Sequence, residues 1–424
     1  MASPFRMKSS KEGGRVDGKK GGKRGRGRLF ICFSVLGAVT AALVSFLPAY
    51  FLLFVSRVFP YSHTPADFGV ASWRNVTIFV DHRYAGTVAL SAWYWRGKEN
   101  VEKGGVEGQD GSSRLPSPQR GPPPSPRACA LVVHGHAQNM GRLQGDGTLS
   151  VLQKAALPLS EAGFDILMID LRNHGTSTVV GVVSFGLDEA EDVGAAVEWL
   201  ASEGGCGRVG IWAESMGAAA SVFALAETWQ KRPLPPNLVR ALAMDSPFAT
   251  ARLAFDGHLS LKIGVRPPEW LLSWMWWCAG KIALLFEIHV ERISPLDAIA
   301  HIDLPILHTH GIRDHLISFE QALSLERKIR GVRSQKCSAE KEEEKGTERR
   351  GDPAKDDRQD DDIGTSGEFS CGPEYLSLWY NDRHVRSYTD SRYYSVLIPF
   401  FLRHVGFGQE GNSSESQVQS GQAT

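Results

Sequence analysis

The sequence predicts an α/β fold in which a mostly parallel, eight-stranded sheet is covered by helices on both faces. Two observations predict it. Short β-branched runs alternate with helical stretches, the order that produces parallel strands joined by crossover helices. Setting aside four segments unsuited to a core (residues 1–57, 97–127, 335–372 and 407–424) leaves 280 of the 424 residues, enough for one large domain.

The elements follow in order. Residues 76–80 (Val-Thr-Ile-Phe-Val) and 87–95 read as two strands able to form an antiparallel pair. Residues 97–127 end in Arg-Gly-Pro-Pro-Pro-Ser-Pro-Arg, which cannot hold a ladder, so a surface loop is expected there. The uninterrupted apolar run at 128–134 reads as a strand buried on both faces. A helix over 149–162, a strand over 165–171 and a helix over 187–202 come next. A strand over 208–213 runs directly into an alanine-rich helix over 216–229, and strands at 239–244 and 305–310 follow. A helix over 319–328, a strand over 375–380 and a helix over 391–405 complete the set. Between Glu340 and Asp362 lie 11 acidic and 6 basic residues, so 335–372 is expected to be a solvated, disordered insertion, as is the tail 407–424.

Charge is unevenly spread. The 47 Lys+Arg balance the 47 Asp+Glu, yet residues 1–28 carry ten basic and two acidic residues, leaving a net −8 for everything after them. An acidic body disfavours nucleic acid as a partner. Residues 29–56 contain no charged side chain. At about 1.5 Å per residue that stretch exceeds a hydrocarbon core of roughly 30 Å, so 29–57 is expected to be a transmembrane signal anchor. The rival, a cleaved signal peptide, needs a shorter apolar region and a small-x-small site that residues 45–50 do not supply cleanly. Basic residues beside a first span stay cytosolic, which makes 1–28 a cytosolic tail and places the body in a lumen or outside the cell, organelle unspecified. Sequons at Asn75 and Asn412 would be usable only on that side. The six cysteines include no C-x-x-C pair, so no zinc or redox site of that kind is expected; Cys337 and Cys371 flank the charged insertion and could close it with a disulfide.

The chemistry is carried by Ile211-Trp212-Ala213-Glu214-Ser215-Met216-Gly217, a strand meeting a helix with a serine at the junction and small residues two positions to either side. This is the pattern of a nucleophile elbow, in which the close approach of backbones demands Ala213 and Gly217 and lifts the serine clear of the sheet. Further landmarks are Ala130-Leu131-Val132-Val133-His134-Gly135, Asp170-Leu171-Arg172-Asn173-His174-Gly175-Thr176-Ser177 and Gly311-Ile312-Arg313-Asp314. With these four in order the chain resembles the α/β-hydrolase family, in its serine aminopeptidase-like and monoacylglycerol lipase-like branch, over residues 70–406. Ala213 stands where the commonest pattern has glycine.

The resemblance implies an α/β-hydrolase fold with a helical cap over 248–298 and the following roles. Ser215 attacks an acyl carbon, His384 is the general base, and Asp314 orients it. The backbone N–H groups of Met216 and His136 form the oxyanion hole. Asp245 is the fallback acid. His404, His174 and Asp170 read as structural, and Asn139 as loop-ordering. His308, His310, Asp314 and His315 crowd together, but three residues separate the two pairs where a His-x-His-x-Asp-His metal cluster has only one. No metal and no cofactor are expected.

Residues 269–286 hold four of the chain's eleven tryptophans and are apolar nearly all round, so they must be buried, lie on a membrane or span one. Spanning would put Ser215 and Asp314 on opposite sides of the bilayer. Core packing under the cap and a wall for an acyl pocket remain. The function expected is a membrane-anchored serine hydrolase cleaving an ester, thioester or amide, with a small-molecule or lipid acyl substrate. The competing reading is a non-catalytic protein of this fold that binds a ligand or partner at a membrane.

Overall fold

The computed structural model describes residues 59–82, 86–98, 127–143, 146–228, 237–348 and 372–406, with isolated positions 37 and 235. All but position 37 of the proposed anchor, the sequon at Asn412, Cys371 and most of the 97–127 loop lie outside the described residues. Among those described, no helix is long and apolar enough to cross a membrane.

Eight strands form one sheet: β1 (Arg74–His82), β2 (Gly86–Trp95), β3 (Arg127–Val133), β4 (Asp165–Ile169), β5 (Cys206–Glu214), β6 (Val239–Asp245), β7 (Ile306–Gly311) and β8 (Tyr375–Tyr380). Their spatial order is β1-β2-β4-β3-β5-β6-β7-β8. β1 and β2 form the expected antiparallel pair and β2 joins β4 antiparallel; every later pairing is parallel. A π-helical turn, Leu152–Ala156, runs into α1 (Leu157–Glu161); α2 is Glu189–Ser202 and α3 Ser215–Phe223. The cap holds α4 (Ala251–Ile263), α5 (Glu269–Leu284) and the short α6 (Pro295–Ala298), and α7 (Phe319–Glu348) and α8 (Tyr393–His404) follow.

The central strands are buried on both faces, and alternate residues feed opposite layers. Cys129, Leu131 and Val133 of β3 join the core under α2 and α3, whereas Ala130 and Val132 join the core under α1 and α8. The chain leaves β3 first toward β4 and then returns to place β5 on its other side. That reversal opens a crevice at the carboxyl ends of the strands, where ligands bind in open α/β sheets.

Three findings correct or add to these expectations. The helix expected to stop at residue 328 continues to Glu348, so 335–348 is helical rather than part of a structureless insertion. Its Lys-Glu-Glu-Glu-Lys composition is charged, as disordered segments are, but those residues are also strong helix formers that extend a helix already nucleated on the core. Second, Cys129 and Cys206, at the starts of neighbouring β3 and β5, are joined in a disulfide with Cα atoms 6.0 Å apart. Pairing across 77 residues is invisible until the strands are placed side by side. Cys337 is also disulfide-bonded; its expected partner, Cys371, lies outside the described residues.

Third, the tryptophan-rich helix is not packed all round. α5 buries only the stripe Leu272, Met275, Ala279 and Ala283, and Trp276 stacks edge-on against Phe255 of α4 at 5.5 Å. Trp270 and Trp277 are 72% and 59% exposed, and Trp274 also faces outward. Among the described residues, ten of the fifteen exposed large apolar side chains fall within 253–286. The cap is too thin to cover both sides of its own helices, which is why an all-round apolar sequence ends half in solvent.

Candidate active site

Ser215 is the first residue of α3, directly after β5, and its φ of 49° lies in the left-handed region that non-glycine residues avoid. The turn is forced by crowding. A Cβ on Gly217 would sit 2.4 Å from the His134 carbonyl oxygen, so only glycine lets the helix meet the strand end. Gly135 approaches from β3, and a Cβ there would lie 3.1 Å from the Cβ of Ser215. The segment leading to His136 is thereby held against the serine, while Met216 supplies the next N–H of the helix.

Three loops converge on this point. Asp314, three residues beyond β7, receives the backbone N–H groups of Leu316 and Ile317 on Oδ1 at 2.9 and 2.8 Å. Its Oδ2 accepts from His384 Nδ1 at 2.6 Å, and Ser215 Oγ lies 3.0 Å from His384 Nε2. The Asp314 contact places the proton on Nδ1 and leaves Nε2 to accept from the serine. Burial opposes charging of the His384 imidazole, but the Asp314 charge and hydrogen bond, joined by Asp245 and Glu214, lift its pKa above the ordinary value. Burial likewise works to raise Asp314, and the charge and hydrogen bond of His384 outweigh it, holding the carboxyl below its usual range.

Asp245, the fallback acid, does not reach Nδ1 of His384. It sits at the end of β6 and takes Tyr380 Oη at 3.0 Å and Ser246 Oγ at 3.1 Å on Oδ1, and Ser387 Oγ at 2.6 Å on Oδ2. Ser246 in turn receives the N–H of Val385 at 3.2 Å, and Tyr380 Oη that of Arg386 at 3.1 Å. The buried carboxylate thus pins the three residues after His384. Val385 and Ser246 have φ of 51° and 53°, strain that this network holds in place.

A second buried device was not foreseen. Lys154, fully buried, pairs with Glu214 Oε2 and donates to the Val385 carbonyl at 3.2 Å, and Glu214 Oε1 accepts the Gly135 N–H at 3.3 Å. One ion pair therefore ties together the residues beside Ser215, His136 and His384. Its signal in the sequence is a lone charged residue, Lys154, in the otherwise uncharged 151–157 and a glutamate inside the elbow.

The remaining landmarks are placed as follows. His174 Nε2 accepts the Ala137 N–H at 3.2 Å. Asp170 accepts from Met140 and Thr176 N–H at 2.9 and 3.0 Å and from Tyr61 Oη at 2.5 Å, and burial pushes its carboxyl up to about 6. Asn139 orders its loop through Phe59 and Gly141 at 2.7 and 3.1 Å. His308 and His310 are buried on one face of β7, partnered by Tyr375 Oη and the Ile317 carbonyl at 3.1 and 2.9 Å. Burial drives both imidazoles below their ordinary value. No group of three or more His, Cys, Asp or Glu able to hold a metal occurs among the described residues. His404 bonds Glu374 at 2.6 Å on the far side of the sheet from Ser215. His258 of α4, which sequence reasoning missed, sets its ring 6.1 Å from that of His136, and burial lowers its pKa to about 4.

No protein-family model and no curated protein sequence matches the chain. Among solved structures, an esterase of Pyrococcus furiosus is similar at a TM-score of 0.52 and 18% identity, over 84% of this chain and 99% of that one. A Pyrococcus horikoshii acylaminoacyl peptidase is similar at 0.47 and 14% identity, over 82% of this chain and 44% of that one, too weakly to carry further weight. The chain has the α/β-hydrolase fold.

Proposed function

We propose that the protein is a serine hydrolase that cleaves an ester, thioester or amide through an acyl-enzyme, with Ser215 as nucleophile, His384 as base and Asp314 as its orienting acid. One observation carries this reading: the continuous relay from Asp314 Oδ2 through His384 to Ser215 Oγ, at 2.6 and 3.0 Å, on a residue held at positive φ. In the first half-reaction Ser215 Oγ bonds to the acyl carbon as its proton passes to His384 Nε2. The N–H groups of Met216 and His136 receive the developing oxyanion, and His384 returns the proton to the leaving alcohol, thiol or amine. Water, deprotonated by the same nitrogen, then releases the acid and restores the serine.

The finer reading is a membrane-anchored enzyme acting on lipid or acyl substrates from the lumenal or extracellular side. The uncharged run 29–56 supports the anchor, and the exposed Trp270, Trp274 and Trp277 of the cap support contact with a lipid surface. The Cys129–Cys206 disulfide and the exposed sequon Asn75 on edge strand β1 support an oxidising, glycosylating compartment.

The test is labelling of the detergent-solubilised chain with a fluorophosphonate. Wild type should label, and Ser215→Ala and His384→Ala should not. Equal labelling of Ser215→Ala would remove the assignment and favour the non-catalytic binding protein.

A further inference from the structure

At the opposite end of the sheet from Ser215 lies a cavity of about 480 Å³, bordered by Arg208, Asn237, Arg240, Asp303, Arg403 and His404. The strand β5 runs from one site to the other, so at about 3.3 Å per residue Arg208 and Ser215 are roughly 23 Å apart. This cavity takes no part in the chemistry described above.

Its lining is cationic although the chain beyond residue 28 is net acidic. The two carboxylates nearby are already engaged: Asp303 pairs with Lys336 at 3.3 Å, and Glu374 with Arg403 and His404, each at 2.6 Å. Arg208 uses Nη1 on the Gly406 carbonyl at 2.9 Å. Arg240 is different. Its Nε is fully buried and meets no hydrogen-bond acceptor among the described residues. Leaving a charged donor unsatisfied costs more than leaving a neutral one, and native structures rarely tolerate it without a reason. The backbone also singles this residue out. The β5–β6 register steps from Val209↔Val239 to Gly210↔Ala241, so Arg240 is the extra residue of a bulge, a device that re-aims one side chain.

We propose that this cavity is a second ligand site, which binds a small phosphate-bearing anion, inorganic phosphate or a phosphomonoester, with Arg240 as its principal contact and Arg208 and Arg403 beside it. Guanidinium forks from β5, β6 and α8 meet a phosphate's several oxygens, whereas a carboxylate offers two oxygens in one plane. The volume exceeds that of phosphate alone and leaves room for a small esterified group.

The full chain in detergent is unfolded thermally at fixed ionic strength, with chloride replaced stepwise by inorganic phosphate or by glycerol 3-phosphate. A ligand at 100 times its dissociation constant should raise the midpoint by roughly 5 °C or more. The rise should vanish in Arg240→Gln, whose unliganded midpoint should not fall because the buried, unpartnered Nε donor goes with the substitution. An equal response with either compound assigns the site to the free anion, and a larger one with glycerol 3-phosphate assigns it to phosphomonoesters. No rise with either compound, or the same rise in Arg240→Gln, overturns the proposal. Equilibrium dialysis of radiolabelled phosphate against wild type and Arg208→Gln provides an independent reading: one phosphate per wild-type chain with weakened binding in the variant supports the site, and no uptake refutes it.

Discussion

Replacing Lys154 by methionine tests whether one buried ion pair holds the three loops of the active site in register. Methionine keeps most of the volume and removes only the ammonium. Lys154 and Glu214 have almost no solvent exposure, so the substitution strands the Glu214 carboxylate in the interior with the Gly135 N–H as its remaining contact among those described above. Breaking a buried pair by removing one partner costs about 3–5 kcal/mol. For a domain of this size each kcal/mol lowers the unfolding midpoint by about 2–4 °C, so a fall of roughly 10 °C is expected. The companion Lys154→Met, Glu214→Gln double variant removes both charges and should recover at least half of that loss.

Activity should not recover with it. The pair also connects Val385, beside His384, to Gly135, beside His136, and the double variant lacks the lysine that makes the first of these contacts. A misplacement of about 1 Å in a catalytic constellation costs on the order of 100-fold. We therefore expect kcat for a p-nitrophenyl ester to stay 10- to 100-fold down while the midpoint rises again. Midpoints from tryptophan fluorescence and initial rates on the same samples give both quantities. A single variant that loses less than about 3 °C, or a double variant with wild-type kcat, would show that the pair neither stabilises the elbow nor positions the loops.

Three further outcomes follow from the contacts described. In the proposed mechanism His384 acts as the neutral base, and with its pKa raised kcat/KM should climb with pH through a value above 6.5; Asp245→Asn removes a charge that favours the imidazolium, so the acid limb should move to lower pH, and an unmoved limb would discount that charge. Cys129→Ala with Cys206→Ala opens a link across 77 residues, worth about 4.5 kcal/mol in the chain-entropy account, and should lower the midpoint by roughly 10 °C relative to wild type under non-reducing conditions. Trp270→Ser with Trp277→Ser should leave hydrolysis of a soluble acetate ester unchanged and reduce turnover of a long-chain ester presented in vesicles, measured by fatty acid release; equal loss on both substrates would assign those side chains to folding instead.

How much of this was legible in the sequence depended on the range of the interactions. The elbow, the strand ends and the Ser, Asp, His order are local patterns, and the structure brings Ser215, Asp314 and His384 together where those patterns put them. Asp245 ends β6 and Asp314 follows β7 by three residues, so the sequence offers Asp314 as the acid with Asp245 as fallback; only the geometry separates the carboxylate that meets Nδ1 of His384 from the one that fixes the loop behind it. The end of α7 is not legible in the sequence because high charge accompanies both disorder and a long helix.

The contacts that escaped sequence reading share a property: each joins residues that only the sheet makes neighbours. Cys129 meets Cys206 because β3 and β5 are adjacent, and Lys154 meets Val385 across a separation of 231 residues. Arg240 stands apart because a bulge removes its partner on β5. A parallel sheet buries its middle strands on both faces, so a polar group placed there must find its partner across the sheet or at its end. Glu214 and Asp245 find theirs on the very loops that carry His136 and His384. The same burial that would penalise these charges if they were alone thus makes their satisfaction depend on the active-site loops being in place, coupling the stability of the fold to the geometry of the site.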